Sequence, residues 1–306
     1  MVASDYIIPL DINGLKGRML YMPAPKGKTR DILLLYGHHA SLERMYGVAE
    51  VLNQYGSVTM PDLPGFGGMD SFYKLGMEPT LDNIADYLAA FIKLRFKNKK
   101  ITIVGMSLGF IIATRMLQKY PRLAGNVSLL ISAVGFCHRD DLAFTKLRYN
   151  FYFSIASIFK MRLPALFFHN VILHPIVLRT FYSKTHNAKN KFAGLSAQEA
   201  KQAMDFEIHL WRCNEVRTYM HTTLAMLTLD NCKKQIKLPV QHITVGADQY
   251  VIASNVEQHM RIIFTDYTEH KADMDKHAPS IIADKDAASG LLPASIQKLL
   301  DSKKDL

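Results

Sequence analysis

The stretch that most constrains the fold is Ile101–Gly109, in which a β-branched run leads directly into Gly-Met-Ser-Leu-Gly. An apolar helical pattern follows over Phe110–Leu117. A strand, a Gly-x-Ser-x-Gly turn and a helix in immediate succession hold a serine hydroxyl above the edge of a sheet, on a strained backbone. The bare pattern also occurs by chance in loops, but the flanking strand and helix favour a functional turn. We therefore predict that Ser107 is a catalytic nucleophile.

Strand patterns alternate with helical patterns over the first 135 residues, and strand patterns resume near residue 236. The strand candidates are Tyr6–Ile12, Lys16–Met22, Asp31–Leu35, Val58–Pro61, Ile101–Val104, Val127–Ser132, Leu238–Asp248 and Asp266–Ala272. The helical candidates are Leu42–Gln54, Leu81–Lys97 and Leu108–Tyr120. Alternation of this kind is typical of a parallel sheet with both faces covered. The sequence therefore predicts an α/β fold with a mostly parallel sheet flanked by helices.

Several segments around the Gly-x-Ser-x-Gly turn make the chain resemble the α/β-hydrolase fold family. The strand over Asp31–Leu35 continues into Tyr36–His39, which is similar to the family's oxyanion loop, although the family often has His-Gly where this chain has Tyr-Gly. The segment Asp62–Gly67 matches the family pattern Asp-x-x-Gly-x-Gly. The resemblance covers about residues 8–135 and 236–302. It implies a serine hydrolase.

The resemblance also implies a Ser-His-Asp triad in that family's chain order of Ser, Asp and His. A serine needs an adjacent base, and two late histidines are available: His277, followed by Ala-Pro as in the family, and His270, inside a strand candidate. We assign the base to His277. The acid that orients it is assigned to Asp248, just past a strand end, with Asp140 or Asp141 as the alternative. A purely structural role for Asp248 would be to cap the following helix.

The same resemblance assigns the oxyanion donors to the backbone N–H groups of His38 and Leu108. Loss of one such donor typically costs about 3–4 kcal/mol of transition-state stabilisation. The adjacent imidazoles of His38 and His39 suggest a metal pair, but neighbouring residues rarely converge on one ion, and no carboxylate or cysteine cluster accompanies them. We therefore predict neither a metal site nor a cofactor.

The strand–helix alternation stops near Gly135 and the strand pattern resumes at Leu238. Between them, residues 138–230 hold helical segments rich in aromatic side chains. Members of the α/β-hydrolase family often carry a helical cap at this place, before the strand that bears the acid. We predict a core formed by residues 1–136 and 231–306 and a helical cap formed by residues 137–230. The alternative is a helical bundle that only completes the core.

Composition restricts the partners and the compartment. The chain carries 37 Lys and Arg against 27 Asp and Glu, a formal net charge of +10. Such a charge suits a basic solubilising surface, or attraction to anionic lipid, nucleic acid or an acidic substrate. Because no nucleic-acid-binding motif is present, we predict no nucleic-acid partner and leave open a weak membrane-surface association through the basic cap. Three cysteines without motif spacing, and no signal or spanning segment, predict a cytoplasmic protein.

A serine at position 107, rather than a carboxylate or a cysteine, favours acyl chemistry on esters, thioesters or lactones. Apolar side chains of the cap, for instance over Leu163–Leu178, would line a pocket for an acyl chain, although core packing explains them equally well. We predict a serine hydrolase that cleaves a small to medium apolar carboxylic ester through an acyl-enzyme. The alternatives are a carbon–carbon hydrolase, a lyase or a peroxidase-type enzyme on the same site, and a hydrolase-like protein that binds a small ligand.

Overall fold

The structure is a computed structural model of the chain, and it describes residues 3–184, 196–246, 248–273 and 285–302. Within these residues the strands are β1 Ile7–Ile12, β2 Leu15–Met22, β3 Arg30–Leu35, β4 Gly56–Pro61, β5 Ile101–Met106, β6 Val127–Ala133, β7 Ile236–Thr244 and β8 Phe264–Lys271. They form one sheet in the order β1-β2-β4-β3-β5-β6-β7-β8. The β1–β2 and β2–β4 pairs are antiparallel and the remaining pairs are parallel. The predicted fold class is confirmed.

Helices cover both faces of this sheet and fill the connection between β6 and β7. They are α1 Tyr46–Asn53, α2 Leu81–Phe96, α3 Leu108–Lys119, α4 Pro121–Ala124, α5 Lys146–Phe159, α6 Arg162–Phe167, α7 Pro175–Lys184, α8 Ala197–Cys213, α9 Val216–Leu227, α10 Ala253–Ile263, α11 Lys285–Ser289 and α12 Ala294–Asp301. A π-helical turn over Phe168–Ile172 continues α6. Hydroxyl side chains cap several of the N-termini: Thr80 Oγ1, for example, accepts from the N–H of Asn83 at 3.1 Å at the start of α2.

The central strands are buried along their whole length. Every residue of β4 and of β5 is buried, as expected for parallel strands with helices on both faces. The carboxyl ends of β3, β5 and β7 lead into loops at one edge of the sheet, where ligand sites form in folds of this kind. This edge carries the candidate site.

Helices α5 to α9, with the π-helical turn, form a separate layer that we call the cap. It has a hydrophobic cluster of its own, built from buried residues such as Ala156, Ala165, Leu178 and Met220. Helices therefore lie between β6 and β7, where the sequence predicts a cap, and the division into core and cap stays a prediction.

The cap joins the core at the turn between α8 and α9. The N–H of Gly68 donates to the carbonyl of Cys213 at 2.9 Å, and the N–H of Glu215 donates to the carbonyl of Gly65 at 2.8 Å. Between them, Asn214 Oδ1 accepts from the N–H of Gly67 at 3.0 Å. Three hydrogen bonds thus fasten the cap to the loop that follows β4.

Two predicted boundaries differ from the structure. Helix α1 begins at Tyr46 rather than at Leu42, because the preceding residues turn, with the N–H of Met45 donating to the carbonyl of Ser41 at 3.2 Å. Strand β7 ends at Thr244 rather than at Asp248. The second difference places Asp248 on a loop beyond the strand.

Candidate active site

Ser107 occupies a sharp turn between β5 and α3. Its backbone angles are φ 47° and ψ −113°, a conformation that costs a residue with a side chain roughly 1–3 kcal/mol and persists only where the surroundings enforce it. The surroundings do so here: the N–H of Ser107 donates to the carbonyl of Ala133 at 3.1 Å, and its own carbonyl accepts from Phe110 at 3.0 Å and Ile111 at 3.2 Å. The predicted nucleophile turn is present in the backbone.

The two glycines of the turn are required by close approach rather than by a positive φ. A Cβ atom on Gly109 would lie 2.4 Å from the carbonyl oxygen of Leu35, at the end of β3. A Cβ atom on Gly105 would lie 2.7 Å from the Cα atom of Phe110 in α3. Both contacts are with backbone, which cannot rotate away. The pattern Gly-x-Ser-x-Gly is therefore what allows α3 to pack directly on the sheet.

The loop Tyr36–His39 lies against the serine. A Cβ atom on Gly37 would come within 3.3 Å of Ser107 Cβ and 3.9 Å of its Oγ atom. Within the described residues, neither the N–H of His38 nor the N–H of Leu108 has an intramolecular acceptor. Leu108 is the first residue of α3, so its N–H also carries the partial positive charge of a helix N-terminus. Both N–H groups that the sequence assigns as oxyanion donors therefore lack an acceptor in the described part of the chain.

The imidazoles of His38 and His39 face the cap. His38 Nε2 lies 3.0 Å from Thr222 Oγ1 and 3.2 Å from the carbonyl oxygen of Tyr219, both in α9. Burial, assisted by the neighbouring His39, lowers the pKa of His38 to about 3. His38 is therefore neutral near pH 7. Its side chain holds the oxyanion loop to the cap and is not placed as a catalytic base.

His39 belongs to a buried polar cluster that was not predicted from the sequence. His39 Nε2 lies 3.1 Å from Glu207 Oε1 in α8, and Glu207 is fully buried. The same carboxylate oxygen accepts from the hydroxyl of Tyr182 in α7 at 2.7 Å, and the Trp211 indole donates to that hydroxyl at 3.1 Å. On the core side, Arg44 Nη1 donates to the carbonyl of His39 at 2.7 Å. Two cap helices are thereby tied to the oxyanion loop.

A sequence signal for this cluster exists, because Glu207 falls within the inward-facing stripe of α8. Ala203, Glu207 and Leu210 recur at spacings of four and three residues, and all three are buried. A single carboxylate at such spacing indicates a buried acid that needs donors.

A second polar cluster supports the loop after β4. Asp62 is fully buried and accepts from Arg18 Nε and from the hydroxyl of Tyr36, both at 3.1 Å. Burial raises the pKa of Asp62 to about 7, with Arg18 opposing the shift. Arg18 also donates to Glu43 Oε1 at 2.6 Å. A Cβ atom on Gly67 would lie 2.1 Å from Asp62 Oδ1, so the last glycine of the Asp-x-x-Gly-x-Gly segment packs directly against the carboxylate of its first residue.

Asp248 lies on the loop that follows β7. Its Oδ1 atom accepts from the N–H of Tyr250 at 2.8 Å and from the N–H of Val251 at 3.3 Å. These bonds fold the loop back around the carboxylate. The negative charge of Asp248 raises the pKa of the buried His242 of β7, against the larger lowering caused by burial. Asp248 therefore lies at the same edge of the sheet as the strand ends that carry Ser107 and the oxyanion loop.

The alternative acids are engaged elsewhere. Asp141 is fully buried, and its Oδ2 atom accepts from the N–H groups of Cys137 at 2.8 Å and His138 at 2.9 Å. Its other oxygen lies 2.5 Å from His259 Nδ1 in α10. Asp140 is exposed beside Arg139. Both carboxylates belong to the short helix after β6 and its contact with α10.

The base assigned from the sequence, His277, lies outside the described residues. Its rival, His270, has both ring nitrogens engaged: Nδ1 lies 2.7 Å from Ser295 Oγ, and Nε2 lies 2.8 Å from Gln241 Oε1. The other histidine near Asp248, His242, is buried with Nδ1 2.9 Å from Ser132 Oγ, and burial lowers its pKa to about 3. Neither of these imidazoles is placed to accept a proton from the serine.

A small apolar cavity lies inside the cap, beside the oxyanion loop. Phe168, Trp211, Tyr219 and Met220 are among its lining residues. The Tyr219 ring is centred 3.8 Å from the ring of His38, and the Trp211 ring is centred 4.4 Å from that of His39. Two walls of the cavity are therefore in contact with the loop that carries an oxyanion donor.

Comparisons with known proteins agree with this architecture. Residues 27–270 match the sequence model of the family described as serine aminopeptidase, S33. No curated protein matches the chain. Similar solved structures include an esterase from Exiguobacterium antarcticum, 15% identical with a TM-score of 0.64 over 95% of this chain and 97% of that one. At this identity the likeness shows the fold alone.

Two further structures show how widely the fold is used. An N-formylmaleamic acid deformylase from Pseudomonas putida S16 is 17% identical, with a TM-score of 0.62 over 89% of this chain and 93% of that one. A bromoperoxidase from Bacillus anthracis is 13% identical, with a TM-score of 0.63 over 97% of this chain and all of that one. The fold by itself therefore does not select the reaction.

Proposed function

Since the chain belongs to the serine aminopeptidase S33 family of α/β hydrolases, we propose that it is a serine esterase acting on small to medium apolar carboxylic esters. The observation that carries the proposal is the turn at Ser107. Its φ of 47° and the two N–H groups beside it, which have no acceptor in the described residues, support a partly exposed nucleophile and an oxyanion site, the two features that acyl transfer requires.

In the proposed reaction His277 accepts the proton from Ser107 as its Oγ atom attacks the ester carbonyl carbon. The N–H groups of His38 and Leu108 hold the oxyanion of the tetrahedral intermediate. The intermediate collapses, the leaving alcohol takes the proton from His277, and an acyl-enzyme remains on Ser107. His277 then deprotonates a water, which attacks the acyl carbonyl, and it returns the proton to Ser107 Oγ as the C–O bond to the serine breaks and the acid is released. Asp248 orients His277 and stabilises the imidazolium.

The choice of Asp248 and His277 is supported by what the competing residues do. Asp141 is fully buried and its second oxygen is taken by the His259 imidazole, and His270 has both ring nitrogens occupied. Asp248 instead lies on the loop after β7, at the edge of the sheet where Ser107 lies.

The choice of an apolar acyl group is supported by the cavity beside the oxyanion loop. Phe168, Trp211, Tyr219 and Met220 offer aromatic and thioether surface within the cap, and pockets lined in this way favour apolar ligands. The cavity as it stands holds about one water molecule, so an acyl chain would enter it only if these rings moved apart.

Labelling with a fluorophosphonate probe, followed by a series of nitrophenyl esters from acetate to long acyl chains, tests the proposal. Wild-type protein should be labelled at Ser107 and should turn over one range of chain lengths best, whereas Ser107→Ala should lose both properties and keep its melting temperature. An aminoacyl nitroanilide belongs in the same series, because the family takes its description from aminopeptidases. If the anilide is cleaved faster than the esters, the proposed substrate becomes a peptide rather than an ester.

Matched variants test the other two members of the triad. Asp248→Asn should lower kcat strongly while Asp140→Asn leaves it unchanged, and His277→Ala should be far more damaging than His270→Ala. Labelling without turnover of any ester would show that the site performs another reaction. Absence of labelling in folded protein would overturn the nucleophile assignment.

A further inference from the structure

The outward side of the cap concentrates exposed apolar side chains. Of the twenty large apolar side chains that are exposed among the described residues, thirteen lie between Leu147 and Phe181. The most exposed are Leu147, Leu163 and Ile176, at 82%, 77% and 69%. Single exposed apolar residues are ordinary on a protein, but a concentrated patch indicates an interaction surface. We call the solvent side of Lys146–Lys184 the outer cap face.

These side chains are additional to those that hold the cap together. In α5, Leu147, Phe151 and Ile158 recur at spacings of four and seven residues, which places them on one side of the helix. Ala156 in α5 and Leu178 in α7 point instead into the cap's own cluster. The helices of this segment are therefore apolar on two sides, and within the described part of the chain only one of these sides is covered.

The charge of this segment has one sign. From residue 142 to residue 198 the sequence contains no Asp or Glu, while Lys146–Lys184 contains six Lys and Arg. Lys146, Lys160 and Arg162 lie at or beside the ends of α5 and α6, and no carboxylate of the described residues lies within 4 Å of them. Apolar stripes bordered by unneutralised cations are complementary to a surface that is anionic outside and apolar within.

We propose that the outer cap face binds the surface of an anionic phospholipid membrane. The exposed apolar side chains enter the boundary between headgroups and acyl chains, and the cations contact the phosphates. No single described helix is long and apolar enough to cross a bilayer. The pair formed by Lys146–Phe159 and Arg162–Ile172 meets the length and composition of a span only together, and it is bent by 99°. A bent pair with charged ends suits helices that lie in the membrane surface.

A second copy of the chain is a poorer occupant of this face. In a two-fold dimer the same patch meets itself, so the cations of one outer cap face would stand opposite those of the other. Of the six, Arg179 is paired with Asp205 of α8, and residues 142 to 198 supply no acidic residue for the rest. Like charges brought together at an interface weaken it. The proposal does not depend on the ester substrate, because binding is measured without turnover.

Flotation of the full chain with vesicles tests the proposal. Vesicles of phosphatidylcholine with about 30% phosphatidylserine should bind the wild type at least about tenfold more tightly than pure phosphatidylcholine vesicles. High salt should weaken binding to the anionic vesicles, because it screens the attraction of the cations.

Two double variants separate the apolar and the charged contributions. Leu163→Asp with Ile176→Asp should weaken binding to the anionic vesicles by at least about tenfold. Lys146→Gln with Arg162→Gln should weaken it by about 25-fold, since each cation near the membrane contributes about fivefold. The matched controls lie on the core: Leu94→Asp, at a helix position that is 62% exposed, and Lys26→Gln with Lys237→Gln at exposed positions. The controls should bind like the wild type.

Three results would overturn the proposal. The first is that folded wild-type protein binds neither kind of vesicle. The second is that the Leu163→Asp and Ile176→Asp variant, shown by circular dichroism to be folded, binds as tightly as the wild type. The third is a lipid-free dimer, seen by sedimentation velocity, that the same variant disperses, because the face would then be a contact between two copies.

Discussion

The buried His242 makes the protein's stability sensitive to acid in a way that can be calculated. It lies on β7 with a side chain that is almost fully buried, 2.9 Å from Ser132 Oγ. Burial is the largest cause of its low pKa of about 3, and the Asp248 charge opposes that shift. Its unfolded pKa is about 6.5. The neutral imidazole therefore stabilises the folded state fully above pH 6.5, and this stabilisation is lost as the pH falls from 6.5 towards 3.

The size of the effect follows from the pKa difference. Each pH unit below 6.5 costs about 1.4 kcal/mol per histidine, because the unfolded chain takes up a proton that the folded chain does not. At pH 5 the loss from His242 is about 2 kcal/mol. Urea unfolding of wild type and His242→Asn at pH 8 and pH 5 measures it. The decrease in the free energy of unfolding from pH 8 to pH 5 should be about 2 kcal/mol smaller in the variant, whatever the substitution itself costs at pH 8.

His209→Asn is the matched control for this experiment, because it removes an exposed imidazole from cap helix α8. In this variant the free energy of unfolding should fall between pH 8 and pH 5 by as much as in the wild type. If His242→Asn behaves in the same way as this control, His242 accepts a proton in the folded protein at pH 5. The assignment of a neutral imidazole, held out of the catalytic chemistry by burial, would then be wrong.

The remaining predictions concern the packing around the site. Gly109→Ala should destabilise the fold by about 1–3 kcal/mol, because its Cβ would meet the carbonyl of Leu35 at 2.4 Å. Gly125→Ala, whose Cβ would meet a carbonyl at 3.4 Å, should be tolerated and serves as the control. Equal urea unfolding midpoints for the two variants would contradict the close approach of α3 to the sheet. Glu207→Ala should lower the free energy of unfolding by about 1–3 kcal/mol and should speed proteolysis of the cap, because it removes the acceptor of the buried Tyr182 hydroxyl. Glu207→Gln, which keeps an acceptor, should lower it less. The reverse order would show that the cluster does not hold the cap.

Local sequence was sufficient for the parts of the site that are built from consecutive residues. The turn at Ser107 depends on two glycines and on the strand and helix beside it, all within nine residues, and the backbone angle agrees with the prediction. The fold class was predictable for a similar reason, since alternating apolar runs determine both the strands and the helices.

The contacts between distant residues could not be read from the sequence. The spacing to Asp248 or to Asp141 allowed either as the acid, and only the N–H groups and the imidazole around Asp141 show that it is engaged in its own loop. The start of α1 was misplaced by four residues, because a turn in the oxyanion loop precedes it. The bond between His39 and Glu207 joins residues 168 positions apart, and no local pattern specifies such a pair.

The cap supports the site as well as covering it. In the proposed site His38 contributes a backbone N–H, and its imidazole is held by Tyr219 and Thr222 of α9. Residue 39 is held by Glu207 of α8, and the loop after β4 is held by the turn between these two helices. Every one of these contacts is made by α8, by α9 or by the turn between them, whereas the exposed apolar side chains of the cap lie on α5 to α7, the π-helical turn and the turn before α6. We therefore propose that the cap has two sides with separate tasks: α8 and α9 hold the loop that carries the proposed oxyanion donor, and the outer cap face binds a membrane surface.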